Sequence, residues 1–158
     1  AGSWRRILAT ITGFTLAHSV TLALAALQVV VLPVPPIEAA IALSVLFLAT
    51  ELTRGSTNSL AWNYPIAVSS SFGLLHGLGF AAVLTEIGLP QTELVTGLVF
   101  FNVGVEIGQL LFALAVIAAL RFMNRWSWFA SQGQTVIGYF AGCVAAYWFI
   151  ERTAGSMI

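Results

Sequence analysis

Long apolar runs make up most of this chain, and its polar positions gather in short clusters between them. The runs lie near residues 7–31, 36–53, 63–85, 92–120 and 133–150. Each is close to or beyond the ~20 residues a helix needs to cross a bilayer core. None shows the alternation of apolar and polar positions that marks a barrel strand, and lipid offers no partners to exposed backbone groups. The pattern therefore predicts an all-α, polytopic transmembrane helix bundle with about five spanning helices, forming a single membrane-embedded domain over residues 1–158.

The breaks have local causes. Pro33, Pro35 and Pro36 end the first helix and open the second, because proline cannot donate an interior helix hydrogen bond. Residues 54–59 are a polar turn, and Gly88, Leu89 and Pro90 make another. Residues 121–134 hold Arg, Asn, Ser, Gly and Gln, with Trp126 and Trp128 suited to a headgroup belt.

Composition narrows the class further. Of 158 residues, 59% are hydrophobic and 8% charged, with six arginines, six glutamates, no lysine and no aspartate. A soluble domain carries about a quarter of its residues as charges, and disorder requires low hydrophobicity, so neither class fits. Zero net charge without a basic run gives no basis for nucleic-acid binding. Arginine placement orients the bundle. With the N-terminus inside, Arg5, Arg6, Arg54, Arg121 and Arg125 are cytoplasmic and only Arg152 lies outside, in accord with the positive-inside rule. The single Cys143 falls within the last helix, where it reads as a small apolar residue. The chain opens at Ala1 without methionine, and a preceding segment is expected.

The chain also contains an internal repeat. Phe14-Thr15-Leu16-Ala17-His18 and Phe72-Gly73-Leu74-Leu75-His76 share the pattern F-x-L-x-H, and these are the only two histidines. Leu32-Pro33 precedes Glu38 as Leu89-Pro90 precedes Glu93. Glu38 and Glu51 stand 13 apart, as do Glu93 and Glu106. Residues 7–53 thus read as a first copy and 63–120 as a second, a parallel two-helix repeat about an axis along the membrane normal. Residues 133–150 form an additional helix.

A rise of about 1.5 Å per residue puts His18, Glu51, His76 and Glu106 in one layer, roughly 12–20 Å from the outer turns. Ionisable groups at such depth are costly and face an interior or a wet cavity. Thr12, Thr15, His18 and Ser19 form a polar stripe at helical spacing, and so do Asn102, Glu106 and Gln109. Gly73 and Gly77 flank His76 and allow a neighbouring helix to approach. Two imidazoles and two carboxylates suit a divalent ion such as nickel, cobalt or zinc. Thr15, Ser19, Asn102 and Gln109 would then fix the tautomers and carboxylate orientation. The same residues could instead form an interhelical hydrogen-bond network that only holds the helices together. Glu38 and Glu93, near the outer turns, are candidates for a cation-attracting entrance.

Four blocks carry a family resemblance: residues 14–22, 38–44, 72–80 and 101–109 resemble the signature segments of the HupE/UreJ membrane proteins, and of the HupE/UreJ-2 branch in particular. The resemblance spans roughly residues 7–120. It implies a bacterial inner (cytoplasmic) membrane location and permease activity toward nickel or cobalt. It adds Ser44 to the matching positions His18, Ser19, Glu38, Glu51, His76, Asn102, Glu106 and Gln109. Members usually carry an earlier segment with a Gly-x-Asp-His-Leu-Leu-Phe-like block, for which this chain has no counterpart.

Three functions fit this reading. One is a divalent-metal permease with the ion on His18, His76, Glu51 and Glu106. Another is a membrane-embedded metal-dependent hydrolase, in which the ion activates water and a glutamate acts as base. The last is a non-catalytic subunit, oligomeric or in a larger membrane complex, whose only certain surroundings are lipid.

Overall fold

A computed structural model describes residues 4–55, 58–87 and 92–155; for 81–87 and 130 it describes the backbone alone. Among the described residues every regular element is a helix: α1 (Trp4–Ala26), α2 (Val34–Arg54), α3 (Leu60–Asn63), α4 (Pro65–Ile87), α5 (Leu94–Met123) and α6 (Ser127–Gly155). Four of these, α1, α2, α5 and the greater part of α6, are long and apolar enough to cross a membrane among the described residues. At 23 residues α4 is as long as α1. The Gly88–Pro90 break lies outside the described residues.

Helix ends follow local chemistry more than hydropathy. The first helix stops at Ala26, five residues before the end of the apolar run. Gln28 takes a left-handed backbone (φ 57°), its N–H bonds to the Ala25 carbonyl, and the Val29 N–H bonds to the Leu24 carbonyl. This bond pair is a Schellman closure, which satisfies carbonyls that a helix end leaves orphaned. Gly55 (φ 59°) closes α2 in the same left-handed region, where glycine pays no steric penalty. Ser59 then caps the short α3 by accepting the Trp62 N–H at 3.2 Å. The expected break at 121–134 is only three residues wide, because Ser127 already begins α6.

Packing sets the helix directions. α1 lies along α4, with Phe14 against Gly73 and His18 and Thr21 against Gly77. Toward the N-terminal ends of both, the Ser69 hydroxyl donates to the Thr10 carbonyl at 2.9 Å. The two helices therefore run parallel. A Cβ on Gly77 would collide with the His18 carbonyl, and one on Gly73 with that of Phe14. Gly73 and Gly77 thus form the small-residue face of a close helix crossing. α2 packs against α4 through Ile41–Gly79 and the edge contact of Phe47 with Phe72. α6 packs antiparallel on α2, with Gly138 against Thr53 at one end and an Arg152–Glu38 ion pair (3.2 Å) at the other. α5 leans on α1 in the opposite direction, with Leu22 clustered with Leu94 and Leu98. In contact order the helices run α6, α2, α4, α1, α5.

These directions put Arg5, Arg6, Arg54, Arg121 and Arg125 at one end of the bundle and Arg152 at the other. Arg6 lies over the Trp62 ring and donates to the Trp62 carbonyl, tying the start of α1 to the α2–α4 connection. Phe100 and Phe112 are 71% exposed and Phe140 73%. Such broad apolar surface marks a lipid-facing exterior rather than a water-soluble one. The chain is a membrane protein built around a narrow interior.

Candidate functional site

His18 sits on α1, which packs against both α4 and α5, and it is 3% exposed. Aromatic rings enclose it. Phe14, one turn earlier, stacks on it at 5.8 Å, Phe101 of α5 stacks at 6.3 Å, and Phe80 of α4 meets it edge-on at 5.8 Å. Neither ring nitrogen has a hydrogen-bond partner. His76 also meets the Phe14 ring, edge-on, with centroids 5.5 Å apart. The two histidines thus share contact with one phenylalanine at the crossing of α1 and α4.

Their environments differ. The Ser44 hydroxyl of α2 donates to the Ile41 carbonyl at 2.7 Å, and its oxygen lies 3.3 Å from His76 Nε2. With its proton committed, Ser44 accepts from Nε2–H, which leaves Nδ1 as the lone-pair nitrogen of His76. His18 has no such bond to fix a tautomer.

The α5 stripe meets the α1 stripe directly. The Thr12 hydroxyl donates to Glu106 Oε1 at 2.8 Å, and Thr15 shares its proton between the Ile11 carbonyl and Gln109 Oε1, each at 3.2 Å. Ser19 donates to the Thr15 carbonyl at 2.6 Å. Asn102 spends its amide N–H on the Leu98 carbonyl (2.8 Å), and its buried Oδ1 is left unpartnered. Among the described residues, that oxygen and the two His18 nitrogens are the buried side-chain polar atoms without a partner. Such orphans cost about 1–3 kcal/mol each. Thr12 lies eight residues from the start of α1, so Glu106 is held roughly 12 Å inside the bundle. A groove of about 400 Å³ follows α1 and α5 past Thr15, Ser19, Asn102 and Glu106.

Glu51 stands apart from this group. Its two carboxylate oxygens accept the Leu60 N–H (3.0 Å) and the Ala61 N–H (2.8 Å) at the start of α3. Ser44, which meets His76, is seven residues earlier on α2, roughly 10 Å away along the axis. The four residues His18, His76, Glu51 and Glu106 do not converge on one point, and among the described residues no three His, Cys, Asp or Glu side chains do. Of the entrance candidates, Glu38 pairs with Arg152, while Glu93 is exposed at the N-terminus of α5. The rings of Phe80 and Phe101 enter the site only in three dimensions, and Thr12, part of the polar stripe, finds its partner only there. Phe14 had a signal in the sequence, its position four residues before His18.

A family model described as HupE / UreJ protein matches residues 2–152. No curated protein and no solved structure matches the chain.

Proposed function

The chain belongs to the HupE/UreJ family, and on that premise we propose that it is a permease for a divalent transition-metal ion, nickel or cobalt, in a bacterial inner membrane with its N-terminus cytoplasmic. The observation that carries this reading is His18, a deeply buried imidazole whose two nitrogens are both free of partners. A fold that needed the residue only as packing would gain by an apolar side chain. Neutral imidazole nitrogen is a good donor to borderline divalent ions. His18 and Glu106 are the proposed ion-binding groups, with His76 sharing the Phe14 contact with His18. Thr12, Thr15, Ser19, Asn102 and Gln109 would orient them, and Ser44 would hold His76. Glu51 is assigned to the α2–α3 connection.

The sparse donor set among the described residues suits a cargo ion. Conduction requires binding favourable enough to admit the ion and weak enough to release it, whereas a resident catalytic ion is commonly held by three protein ligands. The internal repeat supports the same reading. α1 and α4 pack in parallel register, α5 leans on α1 and α2 on α4, which is the contact pattern a pseudo-two-fold along the membrane normal would generate.

The test is nickel and cobalt uptake in cells expressing the chain, wild type against His18→Ala, alongside metal analysis of the purified protein and of His18→Ala/His76→Ala. Loss of uptake and of bound metal in the variants is expected. Unchanged uptake in His18→Ala would end the proposal.

A further inference from the structure

The two halves of the bundle are not equally open. Between α1 and α5, the groove starts at Leu27 and Val95, where α1 ends and α5 begins, and continues to Glu106. From Val95 to Glu106 is eleven residues, roughly 16 Å along α5. Its outer part is lined by Ala23, Leu98 and Val99, and its deep part by Ser19, Thr15, Asn102 and Glu106 beside Leu16 and Val103, which with Val95 and Val99 are half or more exposed. The polar atoms are thus concentrated where a cation shedding water would need them. Between α2 and α4, side-chain contacts among the described residues occupy the corresponding stretch. Ile41 packs on Gly79, Phe47 meets Phe72, and Ser44 bonds to His76. Phe72 stands four residues before His76 as Phe14 stands before His18, yet it turns to Phe47 and leaves His76 to the Phe14 ring. Glu51, the counterpart of Glu106, is spent on two backbone amides.

We infer that the α1–α5 groove is the cation path into the membrane from the end where α1 stops and α5 starts, that it terminates on Asn102 and Glu106, and that the Phe101 ring is the gate between this terminus and His18. Phe101 stacks on His18 and also contacts Phe80 at 5.5 Å, so it closes the aromatic box on its α5 side. The neighbouring residue, Asn102, lines the groove, and its Oδ1 is buried without a partner. An ion on Asn102 and Glu106 is therefore one side chain away from the free nitrogens of His18. α5 is the element suited to uncover that histidine. It is held to α1 by the Leu22, Leu94 and Leu98 cluster and by two side-chain hydrogen bonds, from Thr12 and from Thr15. The inference rests on the permease reading for the identity of the cargo, but the path itself is a statement about access of water and charge.

The experiment replaces Cys143 by alanine and introduces single cysteines at Val99 and Val103 on the groove, and at Leu43 on the exposed side of α2 as the comparison. A membrane-impermeant cationic thiol reagent is applied to membranes from the side where α5 begins. Val99→Cys and Val103→Cys are expected to react at least about tenfold faster than Leu43→Cys, because a fixed charge enters a wet groove far more readily than lipid. Millimolar nickel or cobalt is expected to slow the reaction at Val103→Cys, one turn from Glu106, and Glu106→Gln in that background to remove the slowing. Phe101→Ala is expected to raise uptake or passive cation leak while Thr12–Glu106 remains. Equal labelling at all three positions, or none on the groove, overturns the path. An unaltered leak and uptake in Phe101→Ala overturns the gate. Fast groove labelling in a chain that takes up no metal would support the path and remove the permease reading, so the two fail separately.

Discussion

Burying the two free nitrogens of His18 costs the fold on the order of 1–3 kcal/mol for each unpaired group, and an apolar substitution would recover part of that. His18→Leu is therefore expected to raise thermal stability while abolishing metal uptake, a trade that a packing role cannot produce. Thermal unfolding and uptake measured on one preparation check it. Glu106 separates geometry from charge in the same way. Glu106→Gln keeps an oxygen to accept from Thr12, so the helix contact persists, but the anionic donor is gone and metal binding should be lost. Thr12→Val leaves the carboxylate in place but unoriented. The loss of such an orienting bond costs about 10–100-fold in metal affinity, which equilibrium dialysis of the purified protein can measure. The histidines and Glu106 are legible in the sequence because polar groups stand out in apolar runs. Thr12 is visible there only as part of a stripe, since its partner lies 94 residues away.

At the scale of the element, the α1–α4 crossing depends on two glycines. A side chain at Gly77 would meet the backbone of α1 at His18, and backbone cannot yield as a flexible side chain can. Gly77→Leu is expected to separate the pair and unfold the protein at lower temperature or detergent concentration, whereas Gly104→Leu, where a Cβ meets nothing within 4 Å, should be tolerated. Glu51 belongs to this scale too. Glu51→Ala removes two acceptors from the first amides of α3, comparable to losing an N-cap at about 0.5–2 kcal/mol. Uptake per folded molecule should remain close to wild type, as read by transport normalised to protein in the membrane. The sequence alone groups Glu51 with Glu106 through their matched spacing. That grouping ignores the backbone amides of a one-turn helix, which no periodicity announces. Hydropathy likewise overruns the end of α1, because residues 27–31 are apolar apart from Gln28, while the chain turns on Gln28 through a backbone hydrogen-bond pattern.

For the whole molecule, the arginines at the ends of α1, α2 and α5 predict which end stays in the cytoplasm. An alkaline phosphatase fusion after residue 155 is expected to be active, and fusions after residues 54 and 124 inactive. The reverse result would invert the orientation and with it the side from which the groove is reached. The contact order from α6 to α5 also leaves the bundle uneven. α2 is covered by α6 and α4, whereas α5 has α1 as its substantial contact, which is why the groove and the free polar atoms are found on that side.

The sequence by itself determined the solvent of this protein, its helical class, its arginine asymmetry and its family, because each of these follows from which residues occur and at what spacing. Only the tertiary structure decided which of the matched polar residues are engaged. His76 is bonded to Ser44, Glu51 to the start of α3, Glu38 to Arg152 and Glu106 to Thr12, while His18 keeps both nitrogens free. The physical reason is range. Hydropathy and periodicity are local properties of the chain, whereas satisfaction of a buried polar group depends on what another helix brings within about 3 Å.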